Sequence, residues 1–76
     1  MRQLWIMCDF YPELETKVKD ILIERTQSFS ITRLERNLKK NRQRLTVMIR
    51  LKKSENLTPL IEQIAKLKGV DGIRVE

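Results

Sequence analysis

Arg44-Leu45-Thr46-Val47-Met48-Ile49-Arg50-Leu51-Lys52 alternates without a fault: Leu45, Val47, Ile49 and Leu51 share one side, with Thr46, Met48 and Arg50 between them. A period of two over this length, rich in branched residues, specifies a strand with one buried face. Upstream, Gln3 to Phe10 repeats the pattern, with Leu4, Ile6, Cys8 and Phe10 on one face and Trp5 and Met7 on the other. Apolar residues on both faces suit a central strand.

Helices occupy the intervals. Pro12 fits the first position of a helix, where its missing N–H costs nothing, and Glu13 and Glu15 complement the dipole. Leu14, Val18, Ile21, Leu22 and Arg25 follow at helical spacing, so the helix is predicted over 12–26, with Ser28 breaking it. A second helix is predicted to start at Thr58, the capping hydroxyl, with Pro59 as its first helical residue. Leu60, Ile61, Ile64 and Leu67 form its stripe, Lys66 and Lys68 sit at its negative end, and Gly69 is expected as the left-handed cap. Val70, Ile73 and Val75 supply a short last strand.

The segment 29–38 is less regular. Phe29, Ile31 and Arg33 share a face, whereas Leu34 and Leu38 fall on the other parity. A bulge would repair the register of an edge strand. A helix over 32–40 is the alternative, since Leu34 and Leu38 are four apart. The strand is preferred, with Lys39-Lys40-Asn41-Arg42 as hairpin tip and Asn41 suited to positive φ. Ser54 to Leu57 turns the chain.

The resulting fold class is α+β: a ferredoxin-like or ACT-like βαββαβ sandwich, with a four-stranded antiparallel sheet and two helices on one face. Right-handed crossovers put the first and third strands in the middle. If Leu4, Ile6, Cys8, Leu45, Val47, Ile49 and Leu51 face the helices, Trp5, Met7 and Met48 face the other way, where these 76 residues provide no covering layer. Trp5, Met7, Met48 and Arg50 are therefore the candidate interaction surface, for a protein partner or self-association. The alternative is that the stems of Arg50 and Arg74 cover it.

At 76 residues the chain is read as one domain, burying about 60% of its unfolded surface. No apolar run approaches the ~18 residues of a membrane span, and no charged-then-apolar leader is present. Cys8, the only cysteine, excludes an internal disulfide and points to the cytosol. On the core parity it reads as an inert buried thiol. The absence of His, and glycines only at 69 and 72, argue against enzyme chemistry, metals and phosphate loops, so no cofactor is expected. Asp9, Glu13 and Glu15 are explained by helix-start electrostatics.

The net charge of +6 is concentrated: positions 33–53 hold nine basic residues against Glu35. Lys39, Lys40, Arg42 and Arg44 are the candidate contacts to an anionic surface, and a solvated edge that discourages strand pairing is the competing reading. RNA-recognition domains share this topology, but they stack bases on aromatics of the two central strands. Trp5 is the only one here, so weak phosphate contacts could occur and no specific nucleic acid is expected.

The run Leu60-Ile61-Glu62-Gln63-Ile64-Ala65-Lys66-Leu67-Lys68-Gly69-Val70-Asp71-Gly72-Ile73-Arg74-Val75-Glu76 resembles the end of an ACT domain, where a helix leads through Gly-Val into a last strand. Together with Leu4-Trp5-Ile6-Met7-Cys8 it is similar to the cytosolic carboxy-terminal domain of MgtC/SapB-type membrane proteins. That resemblance implies a regulatory domain cut from a larger membrane protein, linked to magnesium homeostasis. It also implies a cytoplasmic position at the inner face of the membrane, beside anionic lipid headgroups. Amino-acid-binding ACT domains carry a glycine after the proline of the first strand–helix loop. Here Asp9-Phe10-Tyr11-Pro12-Glu13-Leu14 has Glu13 in that place, so the resemblance assigns no ligand. A stand-alone ACT subunit sensing an amino acid is the alternative.

Overall fold

The computed structural model describes residues 1–53 and 56–76; Ser54 and Glu55, part of the expected turn, lie outside the described residues. The elements run β1 (Arg2–Asp9), α1 (Pro12–Arg25), β2 (Thr26–Asn37), β3 (Arg42–Leu51), α2 (Leu57–Ala65) and β4 (Val70–Val75). The strands form one antiparallel sheet in the order β2-β3-β1-β4, with the first and third in the middle as expected.

Period-two alternation puts Leu4, Ile6 and Cys8 of β1 and Leu45, Val47 and Ile49 of β3 on one face, all essentially inaccessible. Leu14, Val18, Ile21 and Leu22 of α1 and Leu60 and Ile64 of α2 close over them. Burying one such side chain is worth roughly 1.5–3 kcal/mol, so these twelve residues hold the two layers together. Leu51, Leu67 and Ile73 pack half-buried at the margin.

The bulge in β2 is present. Ile31 pairs with Val47 and Arg33 with Thr46, so Thr32 is skipped and Leu34 comes opposite Leu45 on the helix-facing side. The skipped Thr32 donates its hydroxyl to the Thr46 carbonyl at 3.3 Å. Strand, not helix, is thus the state of this segment. Asn41 takes a φ of 55° in the turn that follows.

Four boundaries differ from the sequence reading. β1 ends at Asp9, so Phe10 is not a strand residue on the core face. β2 starts at Thr26 rather than Phe29, directly after α1, because Thr26 is a buried cap whose hydroxyl donates to the Leu22 carbonyl at 2.5 Å. Asn56, not Thr58, caps α2: its side-chain oxygen accepts the Thr58 N–H at 3.1 Å. Pro59 is therefore the third helical residue, still within the first turn, where N–H groups have no intrahelical acceptor. Finally, α2 stops at Ala65 with Lys66 as its cap, so Gly69 is not the helix cap. It turns the chain into β4 at φ 94° instead.

Gly69 is required there for two reasons. Its φ is left-handed, and an added Cβ would lie 3.2 Å from Cε1 of Tyr11 and 3.4 Å from Cβ of Asp9. Gly69→Ala should lower stability by roughly 1–3 kcal/mol in urea unfolding, since the side chain meets both strain and crowding.

Candidate functional site

The open face of the sheet carries the predicted interaction residues in register. Trp5 lies between Thr46 and Arg74, Met7 between Arg44 and Gly72, and Met48 between Gln3 and Ser30, while Arg50 pairs with Ser28. Trp5, Met7 and Met48 are half-buried and Arg50 is exposed. The Arg74 guanidinium sits 5.6 Å from the centre of the Trp5 ring, a cation–π contact that partly covers the indole. Gly72 leaves room for Met7, because a Cβ there would lie 3.2 Å from its methyl carbon. The face is a low apolar strip under arginine, narrower than sequence alone suggested.

A second cluster forms where β1, the hairpin and β4 meet. Met7 pairs with Gly72 and Cys8 with Val70, so Asp71 is skipped in the ladder. Its carboxylate reaches the Nη2 of Arg42, whose Nη1 donates to Asp9 at 2.5 Å. Two acids from different strands thus hold Arg42. The Asp9 N–H donates to the Gly69 carbonyl (2.8 Å), the Phe10 N–H to the Asn41 carbonyl (2.8 Å) and the Tyr11 hydroxyl to the Lys68 carbonyl (2.6 Å). Arg36 stacks 4.4 Å over the Phe10 ring and stands 3.9 Å from Glu15. The strand–helix loop is therefore tied down on three sides.

The four basic residues expected at an anionic surface are in unequal situations. Arg42 is held as described, and Arg44 donates to Glu35 at 2.8 Å. Lys39 and Lys40 are exposed at the turn and have no ion-pair partner among the described residues. The Arg44 hydrogen bond holds the Glu35 carboxyl below its ordinary value, with Arg33 nearby. The stabilisation this brings is present above the ordinary carboxylate range and fades as pH falls through the lowered value.

Two clefts flank this junction. One, of about 490 Å³, is bounded by Asp9, Tyr11, Glu13, Lys17, Asn41 and Gly69. The other, of about 460 Å³, runs along Met7, Glu35, Arg36, Gln43 and Arg44. Gln43 is buried; its amide nitrogen donates to the Asp9 carbonyl at 3.2 Å, and its side-chain oxygen has no partner among the described residues. Sequence reasoning missed Tyr11, Gln43 and Asp71. Tyr11 carried no periodic signal, Gln43 preceded the regular run, and Asp71 acts only through a register slip. Among the described residues no three His, Cys, Asp or Glu side chains gather as a metal site, and no helix is long and apolar enough to cross a membrane.

With this geometry in view, two solved structures are informative. The ACT domain from GTP pyrophosphokinase of Chlorobium tepidum superposes with a TM-score of 0.70 at 19% identity, over 99% of this chain and 95% of that one. The fold is ACT-like. The C-terminal domain of the MgtC protein from Mycobacterium tuberculosis is similar at a TM-score of 0.64 and 18% identity, over 99% of this chain and 83% of that one. No protein-family model matches the chain, and no curated protein matches it in sequence. At such identities the agreement is one of ACT-like backbone architecture, as the strand–helix order and the Gly69-Val70 junction foreshadowed.

Cys8 lies on the core face with no exposure, and burial pushes its thiol above its ordinary 9.0, opposed by the Gln43 side chain. A raised value stabilises the fold fully below the unfolded value, and that contribution is lost as pH rises above it. A thiol-specific reagent at pH 8 should label Cys8 only as the protein unfolds, in step with loss of its circular dichroism. Rapid labelling of the folded chain would contradict a buried thiol.

Proposed function

We propose that this chain is a non-catalytic regulatory and interaction domain, the cytosolic part of an MgtC/SapB-type membrane protein linked to magnesium homeostasis. The observation that carries the reading is the likeness to the MgtC C-terminal domain over 99% of this chain, in a domain whose strongest surface features suit contact rather than chemistry. The half-buried strip of Trp5, Met7 and Met48, bordered by Arg50, is the proposed protein contact. Aromatic and Met side chains set among arginines have the composition of interface centres. A position at the inner face of the membrane accords with a chain whose charge excess lies on the hairpin.

Two measurements test this. The natural reading frame should continue upstream into several apolar segments of ~20 residues each. A frame that starts at Met1 would refute the membrane-protein reading. The interface is tested separately by Trp5→Glu. The new carboxylate stands beside Arg74 and should leave the fold intact, while weakening self-association at least tenfold in sedimentation equilibrium if a second copy is the partner. An associated state that survives the substitution unchanged would remove Trp5 from the contact.

A further inference from the structure

Leu38, Lys39 and Lys40 form the apex of the β2–β3 hairpin, and the turn that carries them is pinned. The Asn37 side-chain oxygen accepts the Lys40 N–H at 3.2 Å, Asn41 adopts its left-handed φ of 55°, and the Asn41 carbonyl accepts the Phe10 N–H at 2.8 Å. The backbone is held while the three side chains stay outside. Leu38 is 76% exposed. The neighbouring cations are committed elsewhere: Arg36 to Phe10 and Glu15, Arg42 to Asp9 and Asp71, Arg44 to Glu35. Among the described residues of the hairpin turn and its flanks, the cations without an ion-pair partner are therefore Lys39 and Lys40, with Lys17 and Lys68 set back in the cleft beside Asn41.

A solvated hairpin tip explains two lysines but gives no use for a bare leucine beside them. One exposed leucine is ordinary by itself. Set next to two unpaired ammonium groups on a pinned turn, it has the chemistry of an interfacial anchor: an apolar side chain for the acyl boundary and cations for lipid phosphates. We propose that the Leu38-Lys39-Lys40 apex docks on an anionic phospholipid surface, with Leu38 entering the acyl boundary. Arg42 and Arg44 stay in their intramolecular pairs. For its setting the proposal rests on the membrane-side location proposed above, where tethering supplies an effective concentration that makes a weak contact count.

The fold adds a geometric condition. Arg2 pairs with Ile49 and Asp9 with Arg42, so the start of the chain and the apex lie at opposite ends of β1. Eight strand residues span about 25 Å, and an apex-down domain must receive any upstream membrane segment through a connector of at least that reach.

The test is co-sedimentation of the 76-residue chain with vesicles of phosphatidylcholine alone or mixed equally with phosphatidylglycerol. Binding should require the anionic lipid and weaken with salt. Each lysine near such a surface is worth about a fivefold change in partitioning, so Lys39→Glu with Lys40→Glu should reduce binding about thirtyfold or more. Leu38→Ser, at unchanged charge, should reduce it roughly three- to tenfold. The same charge change at Arg2 and Lys53, at the end of the sheet about 25 Å of strand from the apex, should alter it less than about threefold at physiological salt, being beyond a screening length from the surface. Circular dichroism confirms that each variant is folded. No vesicle binding, equal losses from the two charge pairs, insensitivity to Leu38→Ser, or lysine-dependent binding of an RNA oligomer in place of vesicles would each overturn the proposal. None of these outcomes depends on the upstream reading frame, so failure here and failure of the membrane-protein reading are separate results.

Discussion

β1 is hydrogen-bonded along both edges, to β3 from Arg2 to Asp9 and to β4 from Leu4 to Cys8, and this double pairing organises the domain. A strand in that position has no free backbone groups to offer solvent, so its two faces must be settled by side chains alone. Leu4, Ile6 and Cys8 go fully into the core, and the helices have a flat apolar surface to cover. Trp5 and Met7 are left on the other face by the same alternation. The core and the candidate interface are thus two sides of one strand. A shift of one residue in its register would exchange them.

The two irregularities that matter are both single skipped residues. Thr32 turns the outer part of β2 so that Leu34 lies opposite Leu45, which restores an apolar face along the long hairpin. Asp71 leaves the β4 ladder and meets Arg42 instead, joining the last strand to the hairpin and to Asp9. Around that junction the Tyr11 hydroxyl and Gly69 close the strand–helix loop from beneath. The basic segment is consequently not uniform. Arg36, Arg42 and Arg44 are held by carboxylates and Lys52 by the Glu24 carbonyl, while Lys39 and Lys40 are left exposed at the apex.

Much of this was legible in the sequence because periodicity reports burial directly. The alternation of 44–52, the helical stripe through Leu14, Val18, Ile21 and Leu22, and a bulge within the segment 29–38 all appear in the structure. Helix ends were read less well. Thr26 and Asn56 cap through side-chain hydrogen bonds whose geometry depends on the neighbouring strand and turn, whereas Thr58-Pro59 offered a stronger local signal in the wrong place. Gly69 was recognised as left-handed, but its role in the turn depends on where Tyr11 and Asp9 stand.

By itself the sequence determined the order of elements, the central position of the first and third strands, and which residues face the core. Those follow from periods of two and 3.6 and from the handedness of crossovers, all local or nearly so. Tertiary structure alone decided which charges are free. Arg42 and Lys40 are equivalent as letters, yet one is clasped by carboxylates 33 and 29 positions away in the chain and the other faces solvent. These long-range pairs depend on distance in space, which the separation of the residues along the chain does not encode.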